Sequence, residues 1–320
     1  MGQLKNILNH LLSWGIRQLI PRYPMATDLS PETDGRHDLQ NGEHEAFYFL
    51  AGSPDGKITL GVRTLFSNQD VLEIIGLKFG SFGWIYQHQT PTPLTLESNQ
   101  ASGPALNLTC RTPWQSWEIR FSGEMISSQG NPEPIALDLT FQSLNPAALY
   151  RLGNYHQAQQ DGYLIGKLHM PQGDWEGELI GYRDHSWGKR GAGNIPGWMI
   201  LDAPEHFYIF IVGDLDLQPL SFGRFRTPDG HFIQVREPEI KLEKNGWRIE
   251  DRRAGLLPWH FERLGPAGIS YLGNAGEEAV RNHPSTGDRF RDEIGPALFT
   301  SSDGKTCTGF WDQATHIPIK

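Results

Sequence analysis

The chain has 320 residues, 38% of them apolar, including 16 Phe, 10 Trp and 9 Tyr, which is ample material for a packed core and excludes disorder over the whole length. A formal charge of −9 at pH 7 excludes a nucleic-acid surface, which needs a basic face to displace counterions. The 36 Gly and 22 Pro suit a fold rich in tight turns, and two cysteines, Cys110 and Cys307, are too few for a disulfide framework or a zinc cluster.

Residues 1–20 differ from everything that follows. Leu4, Ile7, Leu8, Leu11, Leu12, Ile16, Leu19 and Ile20 recur at spacings of three and four, the pattern of one helix face. Pro21 and Pro24 end that helix, so residues 1–27 are expected to be an amphipathic helix and a linker. Such a helix either packs on the outside of a β structure or rests on a membrane surface. Lys5 and Arg17 are its only cations, a thin polar face for lipid. The opening lacks a signal peptide's apolar run and cleavage site, and no stretch reaches the ~18 apolar residues of a transmembrane helix. The expected location is cytoplasmic, with at most a weak peripheral membrane contact through this helix.

From about residue 43 the period changes to two. Segments 47–50, 58–66, 71–79, 84–88, 106–111, 117–121 and 135–141 are short, β-branched or aromatic, and bounded by turn residues, which predicts strands. After Leu144-Asn145-Pro146 a second series covers 163–169, 175–182, 198–202, 207–215, 220–226, 232–237 and 247–251. Pro228-Asp229-Gly230 and Lys244-Asn245-Gly246 are hairpin signals within it. Many short strands at this spacing predict sandwiches or barrels. The punctuation near 145–155 suggests two antiparallel units, 28–150 and 151–320. No nucleotide fingerprint, P-loop or nucleophile elbow occurs. The twelve histidines contain no His-Glu-x-x-His or His-x-His pattern, so no metal and no cofactor is expected.

The densest chemistry lies in Arg183-Asp184-His185-Ser186-Trp187-Gly188-Lys189-Arg190. On a strand, Arg183, His185 and Trp187 share one face, and Asp184 and Ser186 the other. Burying such a set costs several kcal/mol unless every charge is paired. It is therefore either an ion-pair network that pins sheets together or a working site.

This string resembles the RDHSWG-x-R signature of the double lipocalin-like barrel proteins. These include the carotenoid 1,2-hydratases (hydroxyneurosporene synthases), the AttH-type proteins and fungal Diels–Alderases of polyketide pathways. Glu45-Ala46-Phe47-Tyr48-Phe49 resembles that family's E-S-W-Y-F first strand. Tyr155-His156-Gln157 with Gly162 to Gly166 resembles its Y-E-Q and G-x-x-x-G lead-in, and the stretch 307–312 its closing strand. Ala46 and Phe47 stand where the family has a small polar residue and Trp, and His156 where it has an acid. The resemblance implies an all-β fold of two consecutive antiparallel lipocalin-like (calycin) β-barrels. The second, 151–320, would carry the signature.

It also implies a hydrophobic small-molecule substrate, an isoprenoid or polyene, and cofactor-independent, acid-initiated hydration, isomerisation or cyclisation. Protonating an alkene requires a buried carboxylic acid. Asp184 is the first candidate and Glu45 the second, with His185 to orient or recharge the acid. Trp187, Trp198, Tyr182 and Tyr208 would line the pocket and stabilise a cation. Arg183 and Arg190 either contact the substrate or neutralise Asp184, which would spoil it as a donor. The alternative is a non-catalytic carrier of a hydrophobic molecule, which needs a cavity and no acid.

Overall fold

A computed structural model describes residues 29–317 apart from 68, 91–98, 153, 190–196, 204–205, 213–219, 227–231, 237–238, 244–245, 252–255, 264–268 and 275–288. The expected N-terminal helix lies outside these residues. Among the described residues no helix is long and apolar enough to cross a membrane. A 3-10 turn, Pro31–Asp34, leads into strands almost throughout.

The first sheet contains β1 (His44–Gly52), β2 (Ile58–Ser67), β3 (Val71–Phe79), β4 (Phe82–Thr90) and β5 (Leu106–Thr112). It continues with β6 (Ser116–Ser127), β7 (Pro132–Ser143), β8 (Ala148–Leu152), β9 (Tyr155–His169) and β10 (Trp175–Gly188). Hydrogen-bonded neighbours run β10-β1-β2-β3-β4-β6-β7-β9-β8, and β10 also pairs with β9. That extra pairing closes a barrel, with β5 lying on β6 and β8 on β9.

The second sheet contains β11 (Gly197–Ala203), β12 (Phe207–Val212), β13 (Leu220–Arg226), β14 (Phe232–Arg236) and β15 (Glu239–Glu243). Its remaining strands are β16 (Gly246–Asp251), β17 (Leu256–Arg263), β18 (Ile269–Asn274), β19 (Arg289–Ser301) and β20 (Thr306–Ile317). Their order is β14-β13-β12-β11-β20-β19-β17-β16-β15, with β18 on β19.

The change of sheet thus falls between Gly188 and Gly197, not near residue 150 as the turn residues suggested. Leu144-Asn145-Pro146 connects β7 to β8 within the barrel. Without β9 and β10 the barrel could not close, so the signature belongs to the first unit rather than the second.

Alternation fills the barrel. Phe47, Phe49, Ala51, Leu60, Val62, Ile75, Leu77, Trp117 and Phe141 are buried in one core, each large apolar side chain contributing roughly 1.5–3 kcal/mol on removal from water. Phe49 meets Phe141 edge-on with centroids 5.7 Å apart, a favoured aromatic geometry. Gly162 and Gly166 mark where β9 runs closest to β7. A Cβ there would lie 2.2 Å from the Gln142 carbonyl oxygen and 2.1 Å from that of Asp138, so a larger residue would push the strands apart.

The register brings the three motif-bearing stretches side by side. Phe47, Tyr48 and Phe49 lie opposite His185, Asp184 and Arg183. On the other flank of β10, Trp187 lies opposite His156, and Ser186 opposite Gln157. Residues directly across antiparallel strands share a face. Glu45, Phe47, Phe49, Arg183, His185 and Trp187 therefore form the inner row, and Tyr48, Tyr182, Asp184 and Ser186 the outer row.

Candidate functional site

The inner row is closed by the segment that precedes β1. Arg183 ion-pairs with Asp34, and both are buried. The other Asp34 oxygen accepts the Trp114 backbone N–H at 2.6 Å and the Trp117 indole N–H at 3.0 Å. The Arg183 guanidinium lies 4.8 Å from the Trp117 ring and donates to Gln160 Oε1 at 3.3 Å. A buried pair of this kind is costly to break because one charge is left uncompensated.

Glu45, completely buried, occupies the next position on this face. Its Oε1 lies 3.0 Å from His185 Nε2 and 2.6 Å from His37 Nδ1. Its Oε2 accepts from Arg36 Nε at 2.9 Å and from the His37 backbone N–H at 3.1 Å. Burial pushes the Glu45 carboxyl up, but the hydrogen bonds and charges of His185 and His37 together outweigh it, and its pKa falls to about 2. Burial dominates at His185 and pulls its pKa down, against the opposing pull of Glu45. The His185 ring stacks on Phe47 with centroids 4.0 Å apart, and His37 stacks on Trp187 at 4.5 Å.

Two expectations need correction here. A carboxyl held ionised is a poor proton donor, so Glu45 does not suit the acid role. His185 lies on the opposite face of β10 from Asp184, so it cannot orient or recharge that acid directly.

The outer row faces the second sheet. Asp184 is 8% exposed. Its Oδ2 accepts from the carboxamide of Gln159 at 2.9 Å and from that of Gln157. Tyr48 and Tyr182 pack edge-on beside it, with centroids 6.1 Å apart. Farther along, Asp161 pairs with Arg224 of β13 at 2.7 Å, and Arg224 also donates to the Pro146 carbonyl at 2.6 Å. These contacts tie the two sheets together.

Between the sheets lies a cavity of about 420 Å³, lined by Tyr163 and Ile180 on the barrel side and by His206, Leu298, Thr306, Cys307 and Thr308 on the other. Asp184 stands four residues from Ile180 on the same strand face, ~13 Å by strand rise. A larger cleft, about 610 Å³, opens at the barrel rim, with Trp114, Gln115, Ser116, Leu144, Asn145 and Pro146 among its walls.

Of the expected site residues, Tyr182 and Asp184 share the outer face, while Glu45, Arg183, His185 and Trp187 share the inner one. Arg183 is paired with Asp34 and does not neutralise Asp184. Trp198 and Tyr208 fall on β11 and β12, but their side chains, like Arg190 as a whole, lie outside the described residues. Sequence reasoning missed Asp34 and His37, which sit in a polar segment without periodicity. It also missed Gln157 and Gln159, although Gln157-x-Gln159-x-Asp161 is an alternating polar row that a strand reading could have flagged.

The family described as a domain of unknown function, DUF7064, matches residues 30–252. No curated protein matches the sequence. Among solved structures, the chain is similar to a Nitrosomonas europaea protein described as AttH, with 12% identity and a TM-score of 0.63. That match covers 89% of this chain and 96% of the other. Kievitone hydratase from Nectria haematococca is similar at 10% identity and a TM-score of 0.53, covering 93% of this chain and 94% of that one. At such identities the likeness is one of fold, and it bears out the double lipocalin-type architecture that the signature implied.

Proposed function

The chain belongs to the DUF7064 family, and from that premise we propose that it is a cofactor-independent enzyme that protonates an alkene of a lipophilic isoprenoid or polyene, with Asp184 as the donor. The observation that carries this reading is a carboxyl, 8% exposed, that accepts two glutamine carboxamides beside a pair of tyrosine rings. Burial disfavours the charged form of a carboxyl. The neighbouring Arg183, the obvious neutralising group, is engaged by Asp34 on the other side of the wall.

The chemistry is a proton transfer from the Asp184 carboxyl to one alkene carbon, leaving a carbocation on the other and a carboxylate on the protein. The Tyr48 and Tyr182 rings can stabilise that cation by about 0.5–2 kcal/mol each. Attack by water and loss of a proton gives hydration, loss of a neighbouring proton gives isomerisation, and attack by a second alkene gives cyclisation. In each case one proton returns to Asp184. The distance between Asp184 and the inter-sheet cavity favours an elongated substrate that reaches from one to the other. The hydratase among the structural neighbours supports the hydration branch.

The test is to incubate wild type and D184N with prenyl diphosphates, prenylated aromatics and polyenes, then extract and weigh the products. Altered retention at unchanged mass, or at the mass of one added water, from wild type alone is expected. An unchanged lipid bound by both proteins would overturn the catalytic reading in favour of a carrier.

A further inference from the structure

We propose that His37, Glu45 and His185 form a site for a divalent metal of the Zn2+ type, clasping residues 30–43 over the mouth of the first barrel. It lies on the inner row, away from Asp184, and is independent of the reaction proposed there. One ligand atom from each residue lies within 4.8 Å of the other two. Glu45 Oε1 faces both imidazoles, at 2.6 Å and 3.0 Å, while Arg36 and the His37 backbone hold Oε2. The carboxylate is thereby turned to offer a single oxygen. Two imidazoles and one carboxylate are a donor set that Zn2+ and its first-row neighbours favour. Bonds of about 2.0–2.1 Å at tetrahedral angles put ligand atoms roughly 3.3 Å apart. The two spacings to Oε1 need to open by about half an ångström, and the two imidazole nitrogens, within 4.8 Å of each other, to close toward the same ~3.3 Å.

A second, independent observation points the same way. His185 is completely buried, and among the described residues its Nδ1 has no hydrogen-bond partner. With Nε2 bound to Glu45, Nδ1 points toward Asp34 Oδ1, 4.0 Å away and beyond hydrogen-bond reach. A buried polar nitrogen left without a partner is costly. A metal ion on Nε2 moves the ring proton to Nδ1 and makes Asp34 its acceptor, the carboxylate–histidine–metal arrangement that orients metal-bound imidazoles. One ion therefore satisfies the orphaned nitrogen and replaces the crowded hydrogen bonds on Oε1. His37 brings the third ligand from the leading segment, its ring fixed by stacking on Trp187 at 4.5 Å and 9°.

The experiment strips the full chain with a chelator and titrates it with Zn2+ against a chromophoric competitor. Uptake of one ion per chain is expected, weakened by more than about a hundredfold in H37A, beyond the ten- to hundredfold that loss of an outer partner costs. X-ray absorption on wild type loaded with one equivalent should find two imidazole nitrogens at about 2.0–2.1 Å. This measurement decides the matter even if H37A fails to fold. No stoichiometric uptake overturns the proposal. So does uptake with fewer than two imidazoles, or uptake that a folded H37A leaves unchanged, which would mark an adventitious surface site such as the exposed His169–Asp174 pair.

Discussion

The two faces of β10 carry opposite solutions to the same problem of burying charge. On the inner face, Arg183 and His185 meet the carboxylates Asp34 and Glu45, delivered by the leading segment and by β1. On the outer face, Asp184 meets glutamine amides and tyrosine rings. The buried Arg183–Asp34 ion pair leaves little freedom for proton transfer. The donor role proposed for Asp184 requires a protonated carboxyl within reach of a substrate. Alternate side chains of a strand point to opposite faces, so one strand can carry both arrangements.

The largest break in this comparison comes from the inner face. Asp34→Asn leaves the buried Arg183 charge uncompensated, and urea titration should record a loss of about 3–5 kcal/mol. On the outer face the balance reverses. Asp184→Asn should fold with a urea midpoint close to wild type, while turnover falls by about 10²–10⁴-fold, the usual worth of a general acid.

Glu73 sharpens the comparison, because it is a buried barrel carboxyl without the inner row's cations around it. It accepts the Leu106 N–H at 2.8 Å and the Tyr86 hydroxyl at 3.1 Å, and burial pushes its pKa above the usual 4.5. Its protonated form favours folding, so that contribution is full below pH 4.5 and is lost as pH rises through the elevated folded value. Glu73→Gln is neutral throughout, so its urea midpoint should gain on wild type between acid and neutral pH. A difference that does not change with pH would contradict the assignment. The smallest effect belongs to the exposed Arg120–Asp138 pair, 3.2 Å apart. Arg120→Ala should cost no more than about 0.5 kcal/mol by the same titration.

Much of this was legible in the sequence. Period-two alternation marked most strands of the first barrel and predicted that Arg183 and Asp184 would part company across β10. The string 183–190 marked the strand that separates the two rows, and its resemblance to the double-barrel signature implied the architecture. What stayed hidden was long-range closure. Asp34 meets Arg183 across 149 positions and Glu45 meets His185 across 140, and no local pattern announces such partners. The turn at Leu144-Asn145-Pro146 looked like a domain boundary because loop chemistry is the same within a barrel as between barrels. The strands β17 to β19 were passed over, with Pro258 inside β17 and Pro296 inside β19 blunting a strand reading of either.

The most direct test of the central claim is to run the reaction in D2O. An alkene protonated by Asp184, whose carboxyl exchanges with solvent, must yield a product with one deuterium fixed on carbon. Wild type is expected to give that product and D184N to give none. Product formed without carbon-bound deuterium, or formed equally by D184N, would contradict acid-initiated chemistry on the outer face of β10.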